Sequence, residues 1–171
     1  MTEKAKKTGT TRAPDGKRSA GLLLFRRPAP PGQGLEVLLG HMGGPFFARR
    51  DAGAWTIPKG EYGDGETAWD AARREFEEEL GLAPPDGEAL PLGEVRQAGG
   101  KVVTAWAVEA DLDPAAVVPG TFRMEWPRGS GQEREFPELD RVRWFGLDEA
   151  RAVIVSAQAG FLDRLTEHSG N

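Results

Sequence analysis

Two short apolar runs begin the ordered pattern of the chain: AGLLLFRR over 20–27 and LEVLLGHM over 35–42, separated by the turn-rich PAPPGQG. Runs of that length, bounded by Gly and Pro, predict two strands joined by a loop. A Gly- and Pro-punctuated loop, GGPFFARRDAG, follows and carries Arg49 and Arg50 ahead of AWTIPKG. From about Ala68 to Leu80 the spacing becomes helical, with Thr67 and Asp70 placed for a capping box and Gly81 for a left-handed C-terminal cap. Beyond it, LGEVRQ and KVVTAWAVEA predict two strands around the AGG turn, with Thr104, Trp106 and Val108 on one face. TFRMEW also alternates, EREFPELD reads as a charged loop, and RVRWFGL as another strand. Two short helical segments close the pattern, from Asp148 to about Val155 with Asp148 as cap, and from Ala159 to about Leu165. Strands, one helix, more strands and then helices imply a mixed α/β domain; there is no internal repeat.

The central helix ends in RREFEEELG, which sets four carboxylates where the helix dipole is negative. Anions there cost roughly 0.3–1 kcal/mol each, and Glu75 with Glu79 is a like-charged i,i+4 pair. At roughly 100° per residue, Ala68, Ala71, Ala72, Phe76 and Leu80 share one apolar arc, opposite Asp70, Arg73 and Glu77. Glu75, Glu78 and Glu79 project together at the edge of that arc, and Glu79 falls between Ala68 and Ala72. Such a cluster turned toward a core needs a cation, and an all-oxygen ligand set selects a hard ion, Mg²⁺ or Mn²⁺.

Composition narrows the alternatives. A chain of 171 residues, 39% hydrophobic, suffices for one core without staples. It contains no cysteine and only His41 and His168, which removes thiolate and histidine-rich metal sites. It shows neither a signal-peptide pattern nor an apolar run near the length of a membrane span, so a soluble cytoplasmic protein is expected. The net charge is −5, with +4 in residues 1–19 and −9 in the rest. An acidic body argues against a nucleic-acid polymer as partner, and the basic segment 1–18 is expected to be a disordered tail ahead of a single domain over 19–167.

GEYGDGETAWDAARREFEEELGL, residues 60–82, resembles the signature of Nudix (MutT-like) hydrolases at its nine defining positions: Gly60, Glu66, Arg74, Glu75, Phe76, Glu78, Glu79, Gly81 and Leu82. The looser resemblance runs over about 19–165, through WTIPKGE and RVRWFGLDEA. It implies the Nudix fold, an α/β/α sandwich around a mixed β-sheet. It also implies that Glu75, Glu78 and Glu79 hold divalent ions, with the backbone carbonyl of Lys59 as a further ligand. Glu66 paired with Arg74, together with Gly60 and Gly81, would support the loop and helix. A diphosphate repels hydroxide, so such a site needs cations to neutralise phosphate and acidify water, and a carboxylate to take the proton. Among Glu133, Glu135, Glu138 and Asp140, Glu138 is the chosen base; Lys59, Arg49 and Arg50 are the expected phosphate contacts.

The WTIPKGE segment is similar to that of diadenosine tetraphosphate and other nucleoside polyphosphate hydrolases. The whole chain resembles a bacterial Nudix subgroup described as predicted nucleoside triphosphate pyrophosphohydrolases. The expected function is therefore hydrolysis of a diphosphate bond in a nucleoside diphosphate linked to another moiety, a dinucleoside polyphosphate or nucleoside triphosphate. Clean-up of oxidised nucleotides and a non-catalytic nucleotide sensor are the alternatives, and a homodimer is left open. Some relatives clamp adenine with a downstream tyrosine, whereas the only tyrosine here is Tyr62; Trp106, Phe122 and Trp126 are the candidates to stack a base.

Overall fold

The computed structural model describes residues 17–169. Of the expected tail, residues 1–16 lie outside the described residues, and the first strand already begins at Arg18. The strands are β1 (Arg18–Arg26), β2 (Glu36–Met42), β3 (Trp55–Thr56), β4 (Lys59–Glu61), β5 (Ala89–Arg96), β6 (Val102–Glu109), β7 (Thr121–Glu125), β8 (Glu133–Pro137) and β9 (Leu139–Gly146). The helices are α1 (Ala68–Leu80), α2 (Leu147–Val153) and α3 (Ala159–Ser169). Among the described residues no helix is long and apolar enough to cross a membrane.

Seven strands form one sheet in the order β3-β2-β1-β6-β5, with β4 added to β1 and β9 added to β2. β1 runs parallel to β6, from Arg18 opposite Val102 to Phe25 opposite Glu109, while its pairings with β2 and β4 are antiparallel. The sheet is thus mixed. The continuous apolar run of β1 follows from burial on both faces: Leu22 and Leu24 pack with Ala72, Phe76 and Leu80 of α1, while Leu23 and Phe25 pack with Phe161 and Leu165 of α3. Helices on both sides of this sheet make the α/β/α sandwich.

The helix α1 starts where its cap predicts: the Thr67 side chain accepts from Asp70 N–H, and Gly81 closes it in the left-handed region at φ 69°. Phe76 and Leu80 have no exposed surface, and burying each contributes about 1.5–3 kcal/mol. Two local expectations are corrected. EREFPELD is not a loop, because Glu133–Pro137 forms β8 and pairs with β7 in a separate hairpin, stabilised by cross-strand partners such as Phe122 and Phe136. Both strands of that hairpin are largely exposed, so no buried alternation marks β8 in the sequence. Asp148 does not cap α2: Gly146 at the end of β9 takes the cap position in an extended conformation, and Asp148 falls inside the first turn.

Candidate active site

The site forms where α1 crosses the β1–β4 edge. In that pair Leu22 N–H donates to the Pro58 carbonyl and Tyr62 N–H to the Arg18 carbonyl, so the alternate residues Lys59 and Glu61 turn their backbone groups away from β1. Lys59 N–H accordingly donates to Glu79 Oε1 at 3.1 Å, and the Glu61 carbonyl accepts from Arg74 at 3.4 Å. Two glycines make this approach feasible. A Cβ on Gly21 would come within 2.7 Å of Lys59 Cβ, and a Cβ on Gly60 would occupy the place of the Glu75 carboxyl group.

Arg74 organises the acidic face. Its guanidinium forks onto Glu66 with two bonds of 2.8 Å and reaches Glu75 at 2.7 Å and Glu78 at 3.2 Å. Hydrogen bonds from Arg74 hold the Glu66 carboxyl below the usual carboxylate range, and the same bonds, those to Glu66 first, raise the proton affinity of Arg74. The far end of α1 has no basic residue in its last turn; its Leu80 carbonyl instead accepts from Val118 N–H at 2.8 Å.

Glu75, Glu78, Glu79 and Glu138 all line one cavity of about 420 Å³, together with Lys59 and Lys101. Glu138 comes from the β8–β9 junction. Its N–H donates to the Gly120 carbonyl (2.8 Å), and its carbonyl accepts from Gly43 N–H (2.9 Å). The pairing of β2 with β9 shifts just beyond it, from His41 opposite Arg141 to Met42 opposite Leu139, leaving Asp140 as the extra residue. Asp140 Oδ1 meets the buried His41 Nδ1 at 2.7 Å, and His41 Nε2 donates to the Arg50 carbonyl at 2.7 Å.

Electrostatics show what this cavity lacks. Burial pushes the Glu79 carboxyl up to about 8; the charge and N–H of Lys59 work against that shift, and the charges of Glu138 and Glu75 add to it. Burial likewise raises Glu75, against Arg74, and Glu138, against Lys59. Lys59 is lowered by its own burial and by Lys101. Neighbouring cations thus only partly compensate the acidic cluster. Among the described residues no three acidic or imidazole groups close around a common point at metal-ligand spacing, since Arg74 bridges Glu75 and Glu78. The donors are nevertheless all oxygen, negatively charged and undercompensated, which suits a hard divalent cation.

Arg49 and Arg50, expected to meet phosphate, sit on the exposed β2–β3 loop and line neither this cavity nor the adjoining recess bordered by Phe47 and Phe122, which shares Lys59, Glu79 and Glu138 with it. Lys101 was not foreseen. It reaches the cavity because the parallel β1–β6 pairing sets the start of β6 beside Arg18, and its Nζ lies 3.4 Å from Glu61. Ser19, also unforeseen, lines the cavity with a buried hydroxyl that has no hydrogen-bond partner among the described residues. No local sequence signal marks either one. Of the three stacking candidates, Trp106 lies on the α1 side, edge-on to Trp69 at 5.1 Å, and Trp126 is edge-on to Phe46 at 5.6 Å; Phe122 borders the site.

Solved structures with this fold include the Ap4A hydrolase of C. elegans in a binary complex, 22% identical over 89% of this chain and 98% of that one, with TM-score 0.63. The NUDIX domain of Shewanella oneidensis NrtR, complexed with ADP ribose, is 17% identical over 99% of each chain, with TM-score 0.60. The Nudix hydrolase RenU of M. smegmatis is 28% identical over 89% of this chain and 84% of that one, with TM-score 0.54. No curated protein sequence matches the chain. Residues 14–165 match the family described as NUDIX domain, nearly the whole length that carries the sheet, the helices and the acidic cavity. The chain belongs to the Nudix family and is a Nudix hydrolase.

Proposed function

We propose that this protein is a metal-dependent pyrophosphohydrolase that cleaves a diphosphate bond in a nucleoside diphosphate linked to another moiety, with dinucleoside polyphosphates and nucleoside triphosphates as its substrates. In this reading it falls in the bacterial subgroup of nucleoside triphosphate pyrophosphohydrolases that its sequence resembles. The observation that carries the proposal is the convergence of Glu75, Glu78, Glu79 and Glu138 with Lys59 and Lys101 on one cavity. Similarity to the C. elegans Ap4A hydrolase and to an ADP-ribose-bound NUDIX domain supports a nucleotide of this class.

Glu75, Glu78 and Glu79 would hold Mg²⁺ or Mn²⁺ with the Lys59 carbonyl. The chemistry such an ion supplies is neutralisation of the diphosphate and acidification of a water. The chain's own groups do the rest. Arg74 orients Glu75 and Glu78 through its bonds of 2.7 and 3.2 Å. Lys59 and Lys101 attract the phosphates as point charges. Glu138, raised by burial and held by its backbone on both sides, accepts the proton from the attacking water.

The test is incubation of the purified protein with nucleoside triphosphates, dinucleoside polyphosphates and ADP ribose in Mg²⁺ or Mn²⁺, with products resolved by chromatography. Glu138→Gln should lower kcat by about 10²-fold or more, and calorimetry should register Mg²⁺ or Mn²⁺ binding that Glu79→Gln weakens. A wild-type protein that binds neither ion and hydrolyses none of these compounds would refute the proposal.

A further inference from the structure

His41 is buried on β2, and both of its ring nitrogens meet acceptors: Nε2 lies 2.7 Å from the Arg50 carbonyl and Nδ1 2.7 Å from Asp140 Oδ1. A carbonyl cannot donate, so Nε2 carries a hydrogen. A neutral imidazole would then turn a bare Nδ1 lone pair toward a carboxylate at 2.7 Å, two acceptors with no hydrogen between them. The contact therefore holds one further proton, shared by His41 and Asp140, and the pair as a whole is neutral. Arg141 is the other cation beside Asp140, but its Nε stands at 3.8 Å, too far to take the place of that proton. Trp55 covers the imidazole edge-on at 5.2 Å, with Arg141 over its ring and Asp51 accepting from its indole N–H at 3.1 Å. The Arg50 guanidinium lies over Phe47 instead.

Neither residue lines the acidic cavity or the recess beside it. Both sit where the strand that delivers Glu138 is set. Gly43 N–H donates to the Glu138 carbonyl at 2.9 Å, in an approach so close that a Cβ on Gly43 would occupy the place of the Pro137 carbonyl. Leu139 packs over Gly40. Asp140, the extra residue of the bulge, is the one position of this stretch left out of the β2–β9 register, so its side chain is what can fix it. His41 supplies that fixing point from the opposing strand, and through the Arg50 carbonyl the same imidazole ties down the β2–β3 loop.

We propose that His41 and Asp140 are a positioning pair for hydrolysis: the proton they share locks the bulge of β9 to β2 and thereby aims the Glu138 carboxylate at the acidic cavity. The proposal rests on the reading of Glu138 as the base and adds to it what holds that base in place. Loss of the shared proton as pH rises sets a lone pair against the carboxylate, releases Asp140 and lets Glu138 drift. A base must stay within hydrogen-bond reach of the water it deprotonates, so the drift lowers kcat. Neither residue of the pair meets substrate, so KM is unmoved.

Asp140→Asn separates the bridge from its proton. The amide N–H donates to Nδ1 of a neutral imidazole whose Nε2–H still bonds the Arg50 carbonyl, so both contacts survive without the extra proton. Its kcat should stay within about threefold of wild type at neutral pH and hold its value at alkaline pH where the wild-type kcat falls. Asp140→Ala should lower kcat about tenfold or more, with KM within about twofold of wild type. In a Glu138→Gln background the same alanine should change kcat by less than about twofold, because the group it positions is gone. An asparagine as slow as the alanine, coincident pH profiles for wild type and asparagine, or a full alanine effect in the Glu138→Gln protein overturns the proposal. Proton NMR gives a readout apart from turnover: the shared proton should produce a downfield resonance that Asp140→Asn abolishes. Its absence from wild type overturns the inference and spares the hydrolase; its presence in a protein that hydrolyses none of the nucleotides spares the bridge and refutes the hydrolytic reading.

Discussion

Gly60→Ala isolates the role of a missing side chain. The added Cβ would lie within the Glu75 carboxyl group, so Glu75 must leave its rotamer and give up the 2.7 Å bond from Arg74. Forcing a methyl into an occupied site costs about 1–3 kcal/mol, and a charged hydrogen bond is worth about 1.5–3 kcal/mol. The second figure must be discounted because the Arg74 side chain is 37% exposed and keeps Glu66 and Glu78 as partners. A net loss of about 2–3 kcal/mol is expected in urea unfolding of metal-free protein, with kcat reduced about 10²-fold because Glu75 is displaced. The decisive comparison is the same substitution made alongside Glu75→Ala. With the carboxyl gone, the three atoms nearest the methyl are removed and the loss should fall below about 0.5 kcal/mol, since a Gly-to-Ala change without a clash is near neutral or mildly stabilising. Equal losses in the two backgrounds would refute the reasoning.

Two further outcomes follow from the same geometry. Because burial raises Glu79 to about 8 in the folded state, against an ordinary value of 4.5, its contribution to stability is full below the ordinary value and is lost as pH rises toward 8. Metal-free protein should therefore become easier to unfold in urea between about pH 5 and 8, and Glu79→Gln, which keeps an acceptor for Lys59 N–H, should flatten that slope; parallel slopes would contradict it. His41→Leu removes both 2.7 Å contacts and leaves the Arg50 carbonyl and the Asp140 carboxylate without their partner, for a loss of about 2–4 kcal/mol by chemical denaturation. A loss under about 1 kcal/mol would show that the β2–β3 loop does not depend on this histidine.

Local pattern was sufficient wherever the determinant is local. Thr67, the apolar arc of α1 and Gly81 specify that helix within a few turns, because capping and the 3.6-residue period act between neighbours in sequence. Spacing alone likewise set Glu75, Glu78 and Glu79 on one edge of it, and the doubly buried β1 declared itself as an unbroken apolar run. Of the hairpin β7–β8, β7 showed its alternation, but β8 did not, because Glu133, Arg134 and Glu135 are all exposed and the strand is held by β7 and not by a core. Tertiary structure alone decided which distant residues share the cavity: Lys101 enters through the parallel β1–β6 register, Glu138 through bonds to Gly43 and Gly120, while Arg49 and Arg50 remain outside. Those contacts join positions far apart in the chain, and strand pairing, which imposes no fixed sequence separation, is what brings them together.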